Sequence, residues 1–120
     1  YVFAEKTGYS KFGSYTGNGN ADGTFVYTGF KPAFVIWKNT AGESWGLVDN
    51  KRDVDNVTQK HIYPNLNNAE ASQTAIMDLV SNGFKLRWSD GNISGTDQAH
   101  FYMAFGQSLV GSNNIPCTAR

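Results

Sequence analysis

Only one cysteine, Cys117, occurs in the 120 residues, so no internal disulfide can form and no second thiol offers metal-ligand spacing. Prolines number three and histidines two, and no apolar run approaches the roughly 18 residues of a membrane-spanning helix. Charge of one sign is also missing: ten basic and ten acidic residues cancel to zero, which leaves no footprint for nucleic acid or an anionic membrane. Ser44, Ser81 and Ser112 lack a Gly-x-Ser-x-Gly elbow, and Gly17-Asn18-Gly19 with Asp22-Gly23 lacks the lysine and helix of a phosphate loop. Neither His61 nor His100 has a carboxylate or nucleophile at triad spacing, so each reads as an ordinary strand-end residue. These absences leave no catalytic set, no cofactor site and no metal site.

What the chain does have is aromatic and punctuated. Hydrophobic residues make up 40% and aromatic residues 14%, enough for one domain with a core of its own. Thirteen glycines, with abundant Asn, Ser and Thr, fall between short apolar runs, which predicts an all-β antiparallel sandwich, jelly-roll or lectin-like, of seven to eight strands. Gly83 to Trp88 alternates cleanly, with Phe84, Leu86 and Trp88 on one face and Lys85 and Arg87 on the other. Thr74 to Val80 reads as its partner through an Asn82-Gly83 hairpin turn. Ala33 to Trp37 is apolar throughout, as in a central strand covered on both faces, and Ser44 to Val48 is its expected neighbour across a loop at 39–43. Further strands are expected at Lys11 to Thr16, Thr24 to Phe30, His100 to Phe105 and, briefly, Tyr1 to Ala4. A helix capped by Asn68 and running to Val80 is the competing reading of that stretch.

The loop Asp49-Asn50-Lys51-Arg52-Asp53-Val54-Asp55-Asn56 gathers oxygen donors suited to Ca²⁺. It lacks the turning glycine and late bidentate glutamate of an EF-hand loop, and Lys51 and Arg52 offer local neutralisation. An ion-paired, solvated loop is the better reading. Arg52 is expected to pair with Glu70 or Asp49, because a planar guanidinium suits a carboxylate. Sugar rings stack on aromatic faces, and of the aromatic side chains Tyr9, Tyr15 and Tyr63 border polar loops, which makes them the candidate ligand contacts. Trp37 and Trp45 fall in the expected central strands and read as core. Asn56-Val57-Thr58 and Asn92-Ile93-Ser94 match the short glycosylation sequon.

Tyr15-Thr16-Gly17-Asn18-Gly19, followed by a strand that ends in Gly29-Phe30-Lys31-Pro32-Ala33, resembles a module of tail-fibre-like and other virion-associated proteins of bacteriophages, especially marine and cyanobacterial ones. Asp49 to Asp53, Tyr63 to Ala71, Leu79 to Arg87 and Phe101 to Phe105 fit the same pattern. The resemblance implies a non-enzymatic component of the virion, assembled in the bacterial host cytoplasm. It would serve as a module of a tail fibre or spike that contributes to host-surface attachment through glycan. A capsid-decorating or tail-assembly protein is the alternative, and a glycan-degrading enzyme a remote one. Its partners would be other virion proteins and copies of itself, as a homotrimer.

The organisation expected is a sandwich over residues 1–105 and an extended tail over 106–120 that packs on a neighbouring copy through Leu109, Val110 and Ile115. A start at Tyr1 without methionine fits a module cut from something longer.

Overall fold

The computed structural model describes residues 2–107. Eight strands form two four-stranded antiparallel sheets that face one another across one core. The first sheet has the order β1 (Ser10–Thr16), β8 (Ala99–Gly106), β3 (Pro32–Asn39), β4 (Trp45–Asp49). The second has the order β2 (Phe25–Tyr27), β7 (Gly83–Leu86), β6 (Ala71–Val80), β5 (Thr58–His61). The outer pairs β1 with β8 and β2 with β7 nest as in a rolled Greek key, whereas β3 with β4 and β5 with β6 are local antiparallel pairs. Immediately after β5, Ile62 exchanges backbone hydrogen bonds with Leu47 of β4, which closes that side of the sandwich.

The core follows from period-two alternation. Val35 and Trp37 of β3, Val48 of β4, and Tyr102 and Ala104 of β8 point inward from the first sheet. They meet Met77, Leu79, Phe84 and Leu86 of the second sheet. Each such fully buried large side chain contributes about 1.5–3 kcal/mol of hydrophobic stabilisation. Trp37 lies flat over Gly46, its partner in register, where any Cβ would overlap the indole ring. Gly83 plays the same part at the β2 edge: a Cβ there would meet the Val26 carbonyl.

One short helix, α1 (Gly91–Ser94), closes an end of the sandwich. Its N-cap Asp90 accepts a hydrogen bond from the Asn92 backbone N–H. The buried Asn92 side chain accepts from Trp37 Nε1 at 2.7 Å and donates to the Ser44 carbonyl at 2.7 Å, so the cap is tied to β3 and to the strand entry at β4. Asn39, also fully buried, donates to the carbonyl of Gly91 and to Gln98 Oε1.

Several expectations need correction. Asn68 to Val80 contains strand β6 and no helix, because Met77 and Leu79 pair with Leu86 and Phe84 and bury one face at period two. The hairpin between β6 and β7 turns at Ser81-Asn82, one residue earlier than expected, since Gly83 already pairs with Val80. Strand β2 stops at Tyr27 because the backbone N–H groups of Thr28 and Gly29 both turn to the Asn82 carbonyl. Val2 to Ala4 form no strand. The Ser10 hydroxyl takes the Ala4 carbonyl and Glu5 Oε1 takes the Phe12 N–H, so side chains occupy the edge that a backbone ladder would use. Gly106, expected to begin the tail, ends β8 opposite Pro32, and residues 108–120 lie outside the described residues. Strand β3 is central in its sheet but is not covered on both faces: Phe34, Ile36 and Lys38 are only half-buried on the outside.

Candidate functional site

A concave feature lies on the connection from β4 to β5. A groove of about 390 Å³ is lined by Arg52, Asp53, Val54, Asp55, Asn56, Val57 and Gln59. Polar residues dominate a loop, and here they also explain its shape. Asp49 Oδ1 accepts from the backbone N–H groups of Lys51 and Arg52 at 2.9 and 2.8 Å, an Asx-type turn that starts the loop. Asp53 Oδ2 accepts from the N–H groups of Gln59 and Lys60 at 2.8 and 2.7 Å and so draws the far end of the loop back to its beginning.

The floor of the groove is fastened to β6. Asn56 mimics a strand residue with its side chain, donating from Nδ2 to the Leu79 carbonyl and accepting at Oδ1 from the Leu79 N–H. Two residues on, the Thr58 hydroxyl repeats the exchange with the Met77 backbone. Gln59 Nε2 donates to the Thr74 carbonyl. Three side chains, of Asn56, Thr58 and Gln59, thus supplement the backbone ladder where the register between β5 and β6 is irregular.

Arg52 stands between two carboxylates, its Nε 3.4 Å from Asp49 Oδ2 and 3.5 Å from Glu70 Oε2. Both partners named from the sequence are therefore at the guanidinium, which ties the loop to the approach to β6. The contact is Coulombic and not an aligned hydrogen bond: the Nε, though buried, has no hydrogen-bond partner among the described residues. The other Asp53 oxygen, the exposed Asp55 carboxylate and the side-chain Oε1 of Gln59 also accept no hydrogen bond among the described residues, and Val54 is exposed beside them.

Of the oxygens that suggested Ca²⁺, those of Asp49 and one of Asp53 are turned to other uses, to backbone N–H groups and, for Asp49, also to Arg52. Among the described residues no three His, Cys, Asp or Glu side chains converge to hold a metal ion. The sequon amides are occupied too: Asn92 is buried and Asn56 is paired with Leu79.

None of the three tyrosines lines the groove. Tyr15 must be withdrawn as a ligand contact. Its ring is buried between the sheets and stacked on His100 at 4.9 Å, and its hydroxyl donates to the Ile93 carbonyl at 2.8 Å. Burial pushes its phenol far above the ordinary value. The polar loop beside it is held by Gly17 and Gly19, which bond to the 94–98 segment, while the ring itself packs against Phe84, His100 and Tyr102. Tyr9 is exposed and meets Phe105 edge-on, outside the first sheet. Tyr63 is half-buried, its ring against His61 at 4.8 Å; burial raises its pKa, and the charges of Asp90 and Glu43 add to the rise.

The two histidines sit near strand ends and are wholly buried. Desolvation lowers both pKa values, opposed at His61 by the Asp90 charge and at His100 by carbonyl bonds to Gly91 and Gln98. Sequence reasoning missed Asn56 and Gln59 as groove-forming residues. The signal available was the density of Asp and Asn, read there as ion chemistry and used here for backbone anchoring.

A family model described as a domain of unknown function, DUF7483, matches residues 1–108. The chain belongs to that family. The match takes in every strand of the DUF7483 sandwich and the whole of the groove. No curated protein and no solved structure matches the chain.

Proposed function

We propose that this DUF7483 domain is a non-enzymatic structural module of a phage tail fibre or spike that contributes to host-surface attachment by holding glycan in the groove at 52–59. The observation that carries the reading is a preformed polar concavity on a rigid frame. Arg52, Asp53, Asp55 and Gln59 present donors and acceptors beside exposed Val54, while Asn56, Thr58 and Gln59 fasten the floor to β6. Hydroxyl-rich ligands are recognised by such fixed, convergent polar groups, and little ordering entropy remains to be lost on binding. The resemblance of Tyr15 to Gly19 and Gly29 to Ala33 to phage virion modules supports the setting, with other virion proteins and further copies of the chain as partners.

Binding of the full chain to an array of bacterial surface glycans tests the proposal. Retention of one glycan class, weakened about five- to tenfold by Asp55→Ala or Gln59→Ala, which each remove a hydrogen bond worth about 1–1.5 kcal/mol, is the expected result. Absence of binding to any host glycan would remove the attachment role. The second reading, a capsid-decorating or tail-assembly protein, draws on a different observation, the apolar outer face of the first sheet. Immunogold imaging of the domain on particles separates the two.

A further inference from the structure

We infer that the groove at 52–59 takes its glycan through a free ammonium group, an amino sugar in preference to its N-acetylated or acidic counterparts. The inference rests on the proposed glycan reading and names the class of sugar within it.

The hydrogen bonds that shape the groove leave its side chains unevenly spent. Both amide donors are committed to backbone, Asn56 Nδ2 to the Leu79 carbonyl at 2.9 Å and Gln59 Nε2 to the Thr74 carbonyl at 3.0 Å. Asn56 Oδ1 is committed as well, accepting from the Leu79 N–H. Among the described residues, the lining acceptors left without a partner are Asp53 Oδ1, the two Asp55 oxygens and Gln59 Oε1. Val54 and Val57 supply the apolar part of the lining, and Arg52 is its one cationic side chain.

Charge points the same way. Arg52 already stands 3.4 and 3.5 Å from the Asp49 and Glu70 carboxylates, so its charge is offset before any ligand arrives. Asp53 and Asp55 form no ion pair among the described residues, and neither Lys51 nor Lys60 lines the groove. The lining therefore offers uncompensated negative charge together with acceptors that lack donors. A neutral sugar fills the acceptors with hydroxyl protons and leaves the charge unmet. An ammonium brings three donors and the opposite charge on one atom, and charge-assisted hydrogen bonds are roughly twice as strong as neutral ones. N-acetylation removes that charge and two of the donors, and adds a carbonyl acceptor where acceptors are already in excess. An acidic sugar adds repulsion with no free cation to receive it.

Calorimetric titration of the full chain with length-matched oligosaccharides of glucosamine, N-acetylglucosamine and galacturonic acid tests this. The glucosamine oligomer should bind about tenfold or more tighter than the N-acetylated one, the difference made by one charge-assisted hydrogen bond. That preference should shrink as salt is raised, and the galacturonate oligomer should not bind. Asp55→Asn changes an exposed side chain that makes no hydrogen bond within the fold, and should abolish most of the preference while sparing the weak binding of the N-acetylated oligomer. Asp97→Asn, exposed and outside the groove, should leave the preference intact. Binding of the N-acetylated or galacturonate oligomer as tight as that of glucosamine would overturn the inference and leave the glycan reading standing. A preference unmoved by Asp55→Asn, or lost equally with Asp97→Asn, would overturn it too, because the attraction would then belong to the chain at large. Absence of binding by all three oligomers would also overturn it, and the wider glycan array then decides the attachment reading on its own.

Discussion

The two outer faces of this sandwich obey the same strand periodicity and end with opposite chemistry. Outside the second sheet, Lys85 pairs with Asp22 at 2.8 Å and Arg87 with Asp78 at 2.6 Å, the pattern of a face solvated by water. Outside the first, Phe12, Phe34, Ile36, Met103 and Phe105 hold the alternate positions that a solvated sheet would give to polar residues. The core is continuous between them, so folding alone does not require the apolar outer set. The difference teaches that ion pairs cover much of the second sheet's outer face, beside exposed Phe25 and Tyr27, while aromatic and aliphatic side chains pack on one another and on Phe3 outside the first, with the groove set on the connection between β4 and β5.

The strongest way to break the comparison is to remove the core that both faces share. Phe84 is fully buried between the sheets, and Phe84→Ala should cost about 3–5 kcal/mol through lost burial and the cavity left behind. Urea unfolding should show the loss as one transition. Two separate transitions would mean that the sheets are independent and the comparison misplaced.

Next in size is the contrast between glutamates placed on each face. Phe101→Glu, on the outer face that carries Met103 and Phe105, should lower the urea midpoint more than Tyr27→Glu, which is 67% exposed outside the second sheet. Equal sensitivity at both positions, read by urea unfolding, would erase the distinction.

Acid should act on the interior and on neither outer face at first. His61 and His100 are buried with pKa values held below the ordinary value of about 6.5. A base that is harder to protonate when folded than when unfolded contributes its stability in full above the unfolded pKa. That stability declines as pH falls below about 6.5, with a slope of at most about 1.4 kcal/mol per pH unit for each histidine. Urea midpoints between pH 7.5 and 5 should therefore drop, and His61→Phe should flatten part of the decline. Glu5 and Asp22, lowered by their hydrogen bonds to Phe12 and Lys85, act in the same direction but only in the carboxylate range. A midpoint flat down to pH 5 would contradict the buried neutral histidines.

The smallest effect belongs to the solvated face. Arg87→Ala should change stability by only about 0.2–1 kcal/mol, with the difference shrinking in high salt. A larger, salt-independent loss would mark that face as covered as well.

Much of the frame was readable from the chain because alternation and turn chemistry agree locally: Phe84 and Leu86 face in, Lys85 faces out, and β3 and β4 pair across 39–43. The Arg52 pairing was open to inference because opposite charges in two polar segments have few other partners. Strand β5, Thr58–His61, was not, since Thr-Gln-Lys-His has no apolar signal and its inward positions are filled by Thr58 and His61. Phe34-Val35-Ile36-Trp37 misled for a physical reason. A strand buried on both faces and a strand whose second face is only half-buried have the same composition, and only register and exposure separate them. Tyr15 misled because a polar loop follows it in sequence while strand register turns its ring inward against His100, Phe84 and Tyr102.

The chain's two methionines offer the most direct test, because Met77 lies wholly in the core and Met103 on the outer face of the first sheet. With methyl-labelled methionine and a paramagnetic cosolute, each residue reports its own exposure. The account predicts that Met77 stays protected from the cosolute while Met103, half-buried on the outer face, is partly accessible to it. Equal protection of both methyl signals, or an accessible Met77, would contradict it.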